Sequence, residues 1–173
     1  FIKTGVSKIS NEALMERRST IHPADSCLIV YTSGTSGAPK GAMLTHQSLT
    51  YCGFTDAKYN LHTENQKILC NFPINHIACV GDVCCTTLVV GGTTVFMETF
   101  DPAGILSVIN EHNITLLGQI PVMLHMTLTH PNFDPNKLAS LKQIFWGGNP
   151  ASIDLVKRLR ALCPNLANVY GMT

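Results

Sequence analysis

The sequence predicts an α/β protein, with alternating strands and helices forming an open, mostly parallel sheet that carries helices on both faces. From Cys27 onward, short apolar runs alternate with amphipathic stretches about five times. The connections between them are short and several open on helix-start signals, as parallel βαβ units require. The chain of 173 residues is 45% hydrophobic and only 13% charged, enough apolar material for a sizeable core and too much for disorder.

Taken in order, residues 1–24 are polar and mixed and read as a lead-in segment with a short helix at 11–18, stopped by Pro23. Residues 25–173 form the core unit. "CLIVYT" is strand-like, and "THQSLTYCGFTDAKY" follows as a helix with Thr45 as its N-cap. "KILCNFP" is a strand, and a helix near "GDVCCTTLVV" closes at Gly91-Gly92. "TTVFME" is a strand, after which Asp101-Pro102 opens the helix "PAGILSVINEHN", with proline suited to the first turn. "ITLLGQIP" is a strand and "VMLHMTLTH" a helix ended by Pro131. "LKQIFWGG" is a strand, "SIDLVKRLRALC" a helix capped by Ser152, and "LANVYGMT" a last strand. No repeat or low-complexity segment interrupts the alternation.

Several function classes drop out on composition. A net charge of +1 gives no basic field for nucleic acid or an anionic membrane. The longest weakly charged run, residues 77–97, contains Asp82 and is broken by Gly91-Gly92, so it reads as a buried helix and strand and not as a membrane span. No stretch near Phe1 has the basic-then-apolar order of a secretory leader, and a soluble, cytoplasmic protein is expected. The seven cysteines include no C-x-x-C pair and several sit in apolar runs, which reads as reduced, mostly buried thiols. Cys84-Cys85 on an apolar helix read as packing; His112, His125 and His130 lack metal-ligand spacing; Lys157 to Arg160 read as a solvated helix face.

In an open parallel sheet, ligands bind outside the carboxyl ends of the strands. Residues 32–41, 146–150 and 170–173 all fall at expected strand ends, with 73–76 as a fourth, so they share one face and one candidate site. The first of these, "TSGTSGAPKG", offers bare backbone N–H groups, hydroxyls and one lysine, the chemistry of an anion site and most simply a phosphate site. Its spacing is not a Walker A loop, because Lys40 is followed by Gly41 and no second glycine stands where G-x-x-x-x-G-K-[ST] needs it. Nor is it a serine-hydrolase elbow, since Ser36 is followed directly by Gly37 and then Ala38.

The longer string "YTSGTSGAPKGAMLTH" resembles the phosphate-loop signature of the adenylate-forming (AMP-binding) enzymes: acyl-CoA synthetases, 4-coumarate–CoA ligases, firefly-type luciferases and peptide-synthetase adenylation domains. "WGGNP" looks like the family's Gly-Gly-Ala-Pro turn, with Asn149 in place of alanine, and "VYGMT" looks like its Tyr-Gly-x-Thr-Glu segment. The resemblance implies that Thr32, Ser33, Gly34, Thr35, Ser36, Gly37 and Lys40 contact the phosphates of ATP. It implies that Gly147, Gly148, Asn149 and Pro150 lie along the adenine of AMP. Tyr170, Gly171, Met172 and Thr173 would follow, with the tyrosine ring on adenine and Thr173 on the α-phosphate. The family's magnesium-holding glutamate has no counterpart, because the chain ends at Thr173. Lys40, His76 and Thr173 are the residues this assigns to catalysis, and ATP, magnesium and coenzyme A are the implied cofactors and co-substrates.

"FPINHIACVGD" falls where the family builds part of its acyl pocket, and His76 resembles the position bordering the substrate carboxylate. Trp146 and Gly147 are further candidates to border the acyl group, although a tryptophan at a strand end is commonly just core. The segment carries no acid before Asp82, and an unpaired buried ammonium would be costly, which argues against an amino-acid substrate. The expected parent is thus an acid–CoA ligase, an acyl- or aryl-CoA synthetase, acting on a small-molecule carboxylic acid whose chain length and aromaticity the sequence leaves open. A luciferase-like oxygenase and a non-catalytic phosphate-binding module remain as alternatives. The distal aspartate, hinge and C-terminal domain of the family have no match here. The chain therefore reads as a central piece of the family's N-terminal domain that keeps the fold, does not turn over alone, and exposes sheet edges open to self-association.

Overall fold

The computed structural model describes residues 8–32, 37–60 and 62–173. Helix α1, Asn11–Ser19, follows its N-cap Ser10 and buries no residue, in keeping with its polar sequence. Strands β1, Ser26–Thr32, and β2, Lys40–Thr45, pair antiparallel, with Thr32 opposite Lys40 and Ile29 opposite Met43. This corrects the expected placement of residues 32–41. Thr32, Lys40 and Gly41 belong to the strands of a separate two-stranded hairpin and not to a strand end of the parallel sheet.

Helix α2, His46–Tyr59, starts at Thr45 as expected, and the start is reinforced by a capping box. The Ser48 N–H donates to Thr45 Oγ1 at 3.1 Å, and the Thr45 N–H donates to Ser48 Oγ at 3.0 Å. After β3, Lys67–Cys70, the chain enters a π-helical segment, Ala78–Cys85, that runs on as α3, Thr86–Val90, and closes at Gly91. Then come β4, Thr93–Phe96; α4, Pro102–His112; β5, Leu116–Gln119; and α5, Pro121–Thr129. A 3₁₀ turn, Pro135–Leu138, leads to β6, Gln143–Trp146; α6, Ile153–Leu162; and β7, Asn165–Asn168.

The helix starts follow the sequence signals. Asp101 accepts from the N–H groups of Ala103 at 3.2 Å and Gly104 at 2.9 Å, satisfying two otherwise unpaired donors above Pro102. Ser152 accepts from Leu155 N–H at 3.2 Å to start α6. The last strand is shorter than expected: β7 stops at Asn168, and although Val169 N–H still reaches Trp146 O at 2.8 Å, residues 170–173 lie beyond the ladder.

Strands β3 to β7 form one parallel sheet in the order β4-β3-β5-β6-β7. Alternating side chains divide the core into two layers, as a strand's two-residue period dictates. On one face Leu69, Leu117 and Ile144 pack with Ile105, Leu124 and Leu159 from α4, α5 and α6. On the other, Ile68, Cys70 and Leu116 pack with Cys79 and Val83 of the π-helical segment. The expected α/β sheet with helices on both faces is present. The chain steps from β3 outward to β4 and then back across β3 to β5, so the connection reverses between the carboxyl ends of β3 and β5. A parallel sheet opens a crevice at such a reversal.

Candidate active site at the strand tips

A cavity of about 360 Å³ occupies that crevice. Its floor is made by Asn71 and Gln119, immediately after or at the ends of β3 and β5. Its apolar walls come from both layers, notably Phe72, Val83, Met123 and Phe145, and the tips of β6 and β7 complete it through Gly147, Gly148, Gly171 and Met172. The close approach of these tips depends on glycine. A Cβ on Gly147 would stand 2.8 Å from Val169 Cγ2, and Gly148 has φ +79°, a conformation that side chains resist.

Of the sequence-assigned residues, the cavity brings together His76, Gly147, Gly148, Gly171 and Met172. Asn149, Pro150, Tyr170 and Thr173 are exposed beside it in sequence and do not line it, with Tyr170 91% exposed. Thr32 and Lys40 form the last rung of the hairpin, next to the residues that connect its strands, and Thr32 Oγ1 donates to Lys40 O at 3.4 Å; Gly37 is exposed. Ser33, Gly34, Thr35 and Ser36 lie outside the described residues. The hairpin is not remote, however. Leu28 to Tyr31 of β1 share a small cleft with Ile74, Asn75 and Val80, on either side of His76.

His76 sits where the π-helical segment begins, its carbonyl accepting from Cys79 N–H at 3.0 Å. Its Nδ1 accepts from Ala78 N–H at 3.1 Å. The neutral ring therefore carries its proton on Nε2, which makes it a hydrogen-bond donor to anything in the cavity that accepts. Asp82, on the same segment, also lines the cavity. By surface area it is exposed, but its carboxyl is crowded at the wall. That desolvation, helped by the Asp56 carboxylate and opposed by His76, raises its pKa above the ordinary range.

Trp146 does not border the cavity. It points into the larger core layer, and the side chain before it, Phe145, provides the wall. Behind that wall Cys70 Sγ lies 3.5 Å from Cys79 Sγ. Burial, more than its thiol neighbours, pushes the Cys70 thiol up to about 12, so it stays neutral and acts as packing. Cys84 is half-buried and its thiol is pushed up to about 11, again chiefly by burial, consistent with a packing role. Cys27 and Cys52 are exposed, against the expectation that the thiols are mostly buried. Among the described residues no helix is long and apolar enough to cross a membrane. Nor do three His, Cys, Asp or Glu side chains gather among them as a metal site.

Two floor residues escaped the sequence reading. Asn71 and Gln119 are 6% and 1% exposed, and neither amide has a hydrogen-bond partner among the described residues on its oxygen or its nitrogen. Trp146 Nε1 is likewise buried and unpartnered among them. The only signal in the sequence was a polar residue closing an otherwise apolar run, at "KILCN" and "LLGQ".

Comparison with known proteins places this geometry. The AMP-binding enzyme family matches residues 3–173. A feruloyl-CoA synthase of Amycolatopsis sp is 37% identical over 150 residues, covering 86% of this chain and 30% of its own length. The solved structure of ATP-bound MatB from Rhodopseudomonas palustris superimposes with a TM-score of 0.78 at 28% identity, over 87% of this chain and 30% of that one. An o-succinylbenzoate CoA synthetase (MenE) from Bacillus subtilis, solved with an acyl-adenylate intermediate, gives a TM-score of 0.76 at 27% identity, over 88% of this chain and 31% of that one. The chain thus spans about a third of the length of these relatives. By its match over nearly every residue, the chain belongs to the AMP-binding enzyme family.

Proposed function

We propose that this chain is the nucleotide-binding core of an ATP-dependent acid–CoA ligase, and that the strand-tip cavity holds the acid while it is adenylated. The observation that carries the reading is the convergence of His76, Gly147, Gly148, Gly171 and Met172 on one crevice at the reversal point of a parallel sheet. A relative named for CoA thioester synthesis, and neighbours solved with ATP and with an acyl-adenylate, support it.

In this reading a carboxylate oxygen of the acid attacks the α-phosphorus of ATP, the bond to the bridging oxygen breaks, and pyrophosphate leaves. The thiolate of coenzyme A, its proton gone to solvent, then attacks the carbonyl carbon and AMP departs with the acyl C–O electron pair. Two anions must meet in the first step, so donors and cations have to offset their charge. His76 Nε2–H supplies one donor at the carboxylate. Thr32, Gly37 and Lys40, with Ser33 to Ser36 between them, would take the phosphates. Gly147 to Pro150 and Tyr170 would flank the adenine, and Thr173 the α-phosphate. Residues 25–173 then act as one core unit with 1–24 as a lead-in.

Acid-dependent exchange of labelled pyrophosphate into ATP tests the reading. The full-length ligase is expected to show exchange that requires a carboxylic acid, and thioester once coenzyme A is added. The 173-residue chain alone is expected to give none above background. Nucleotide binding by the full-length protein without acid-dependent exchange would make it a binding module and not a ligase.

A further inference from the structure

The residues proposed to meet phosphate and acid sit on different elements. The hairpin carries Thr32 and Lys40 on its last rung, and the segment after β3 carries His76. The two-residue period of β1 puts Leu28, Val30 and Thr32 on one side of the hairpin and the exposed Ile29 and Tyr31 on the other. Among the described residues of the two strands Val30 alone is buried, at 5% exposed.

The cleft that Leu28 to Tyr31 share with Ile74, Asn75 and Val80 measures about 140 Å³. These three residues bracket His76 and are tied to it through the backbone. The His76 N–H donates to Pro73 O at 2.9 Å, closing a turn over Ile74 and Asn75, and the Val80 N–H donates to His76 O at 3.3 Å. The later turns of the π-helical segment are held elsewhere. Cys79 and Val83 are buried against the sheet, and Cys85 Sγ donates to Leu49 O of α2 at 3.4 Å. Ile74, Asn75 and His76 are exposed, so the hairpin is the neighbour placed to hold this turn. Packing across the cleft is incomplete, and the dispersion contacts forfeited at such a gap return when it closes.

We propose that Val30 and Val80 are positioning residues that couple the two substrates. Seating the hairpin on the phosphates draws Val30 against Val80 and settles the turn that carries His76, so nucleotide and acid each bind tighter when the other is present. The inference rests on the ligase reading and adds a coupling between its two halves. Such a coupling requires each ligand to favour the closed arrangement, and it is then reciprocal.

The full-length protein tests it with α,β-methylene-ATP, which cannot release pyrophosphate, and whichever of acetic, malonic, hexanoic, benzoic and cinnamic acid supports the fastest pyrophosphate exchange. The Kd of the nucleotide is expected to fall by about 5- to 20-fold when that acid is saturating, and the Kd of the acid by the same factor when nucleotide is saturating. In Val30→Ala and Val80→Ala that factor is expected to shrink toward one, while each ligand alone binds within about twofold of wild type. A merely structural role would weaken each ligand alone and leave the factor in place. Where an alanine variant does not fold, Val80→Thr, which keeps the shape and loses the apolar contact, is expected to lower the factor as well. A wild-type factor below about twofold overturns the inference, and so does a wild-type factor retained in the variants that fold. Acid-dependent exchange without coupling removes the coupling alone, whereas no acid-dependent exchange across the panel removes the ligase reading and the coupling with it.

Discussion

Replacing Gly118 with alanine is expected to destabilise the protein by about 3 kcal/mol and to narrow the cavity at the same time. A Cβ at this position would lie 2.1 Å from Phe145 Cζ and 2.2 Å from Cε2, far inside contact distance. The Phe145 ring crosses over Gly118 because the two residues are paired rungs of β5 and β6. It cannot sink into the layer formed by Ile68, Cys79 and Leu116, which is already filled. The open direction is toward the cavity that it lines. Urea unfolding with an unchanged m-value measures the loss, and Gly118→Ala combined with Phe145→Leu is expected to recover much of it. A single variant within about 0.5 kcal/mol of wild type would show that the ring yields freely and does not shape the pocket.

The largest effect on activity is expected at His76. Its Nδ1 is occupied by the Ala78 N–H, so in the proposed reading Nε2–H is the donor it would offer the acid. In that reading it donates to developing charge, and removing such a donor costs about 10²- to 10³-fold in kcat. His76→Ala is expected to fall in that range in acid-dependent pyrophosphate exchange, with ATP affinity retained. His76→Gln, which keeps an N–H donor, is expected to recover part of the rate. Near-wild-type activity in His76→Ala would reduce the residue to its structural hydrogen bond at the start of the π-helical segment.

What could be read from the sequence, and what could not, divides along local and non-local physics. Asp101-Pro102, Thr45 and Ser152 announced their helices because capping is decided within four residues, and each is found capping. The parallel sheet was legible because its interior strands are short apolar runs between helices. Strand β2, "KGAMLT", was hidden inside the glycine-rich stretch, since Lys40, Gly41 and Ala42 look like loop and become strand only through pairing with Thr32 to Val30. The π-helical turn at Ala78–Cys85 has no local signature distinct from an α-helix. In the candidate site, glycine turns and His76 stood out by type. Asn71 and Gln119 did not, because a polar residue at the end of an apolar run ordinarily faces water. Their burial follows from the neighbouring strands and from the helices that close the crevice.

The central claim is that the crevice floored by Asn71 and Gln119 receives the acyl part of an acyl-adenylate. A crystal structure of the full-length protein bound to a non-hydrolysable acyl-adenylate analogue measures this directly. The account expects the acyl group within hydrogen-bond or van der Waals reach of Gln119, Phe145 and His76, with the adenine along Gly147 to Pro150. An analogue bound with its acyl group elsewhere, and the crevice between β3 and β5 left to water, would contradict it.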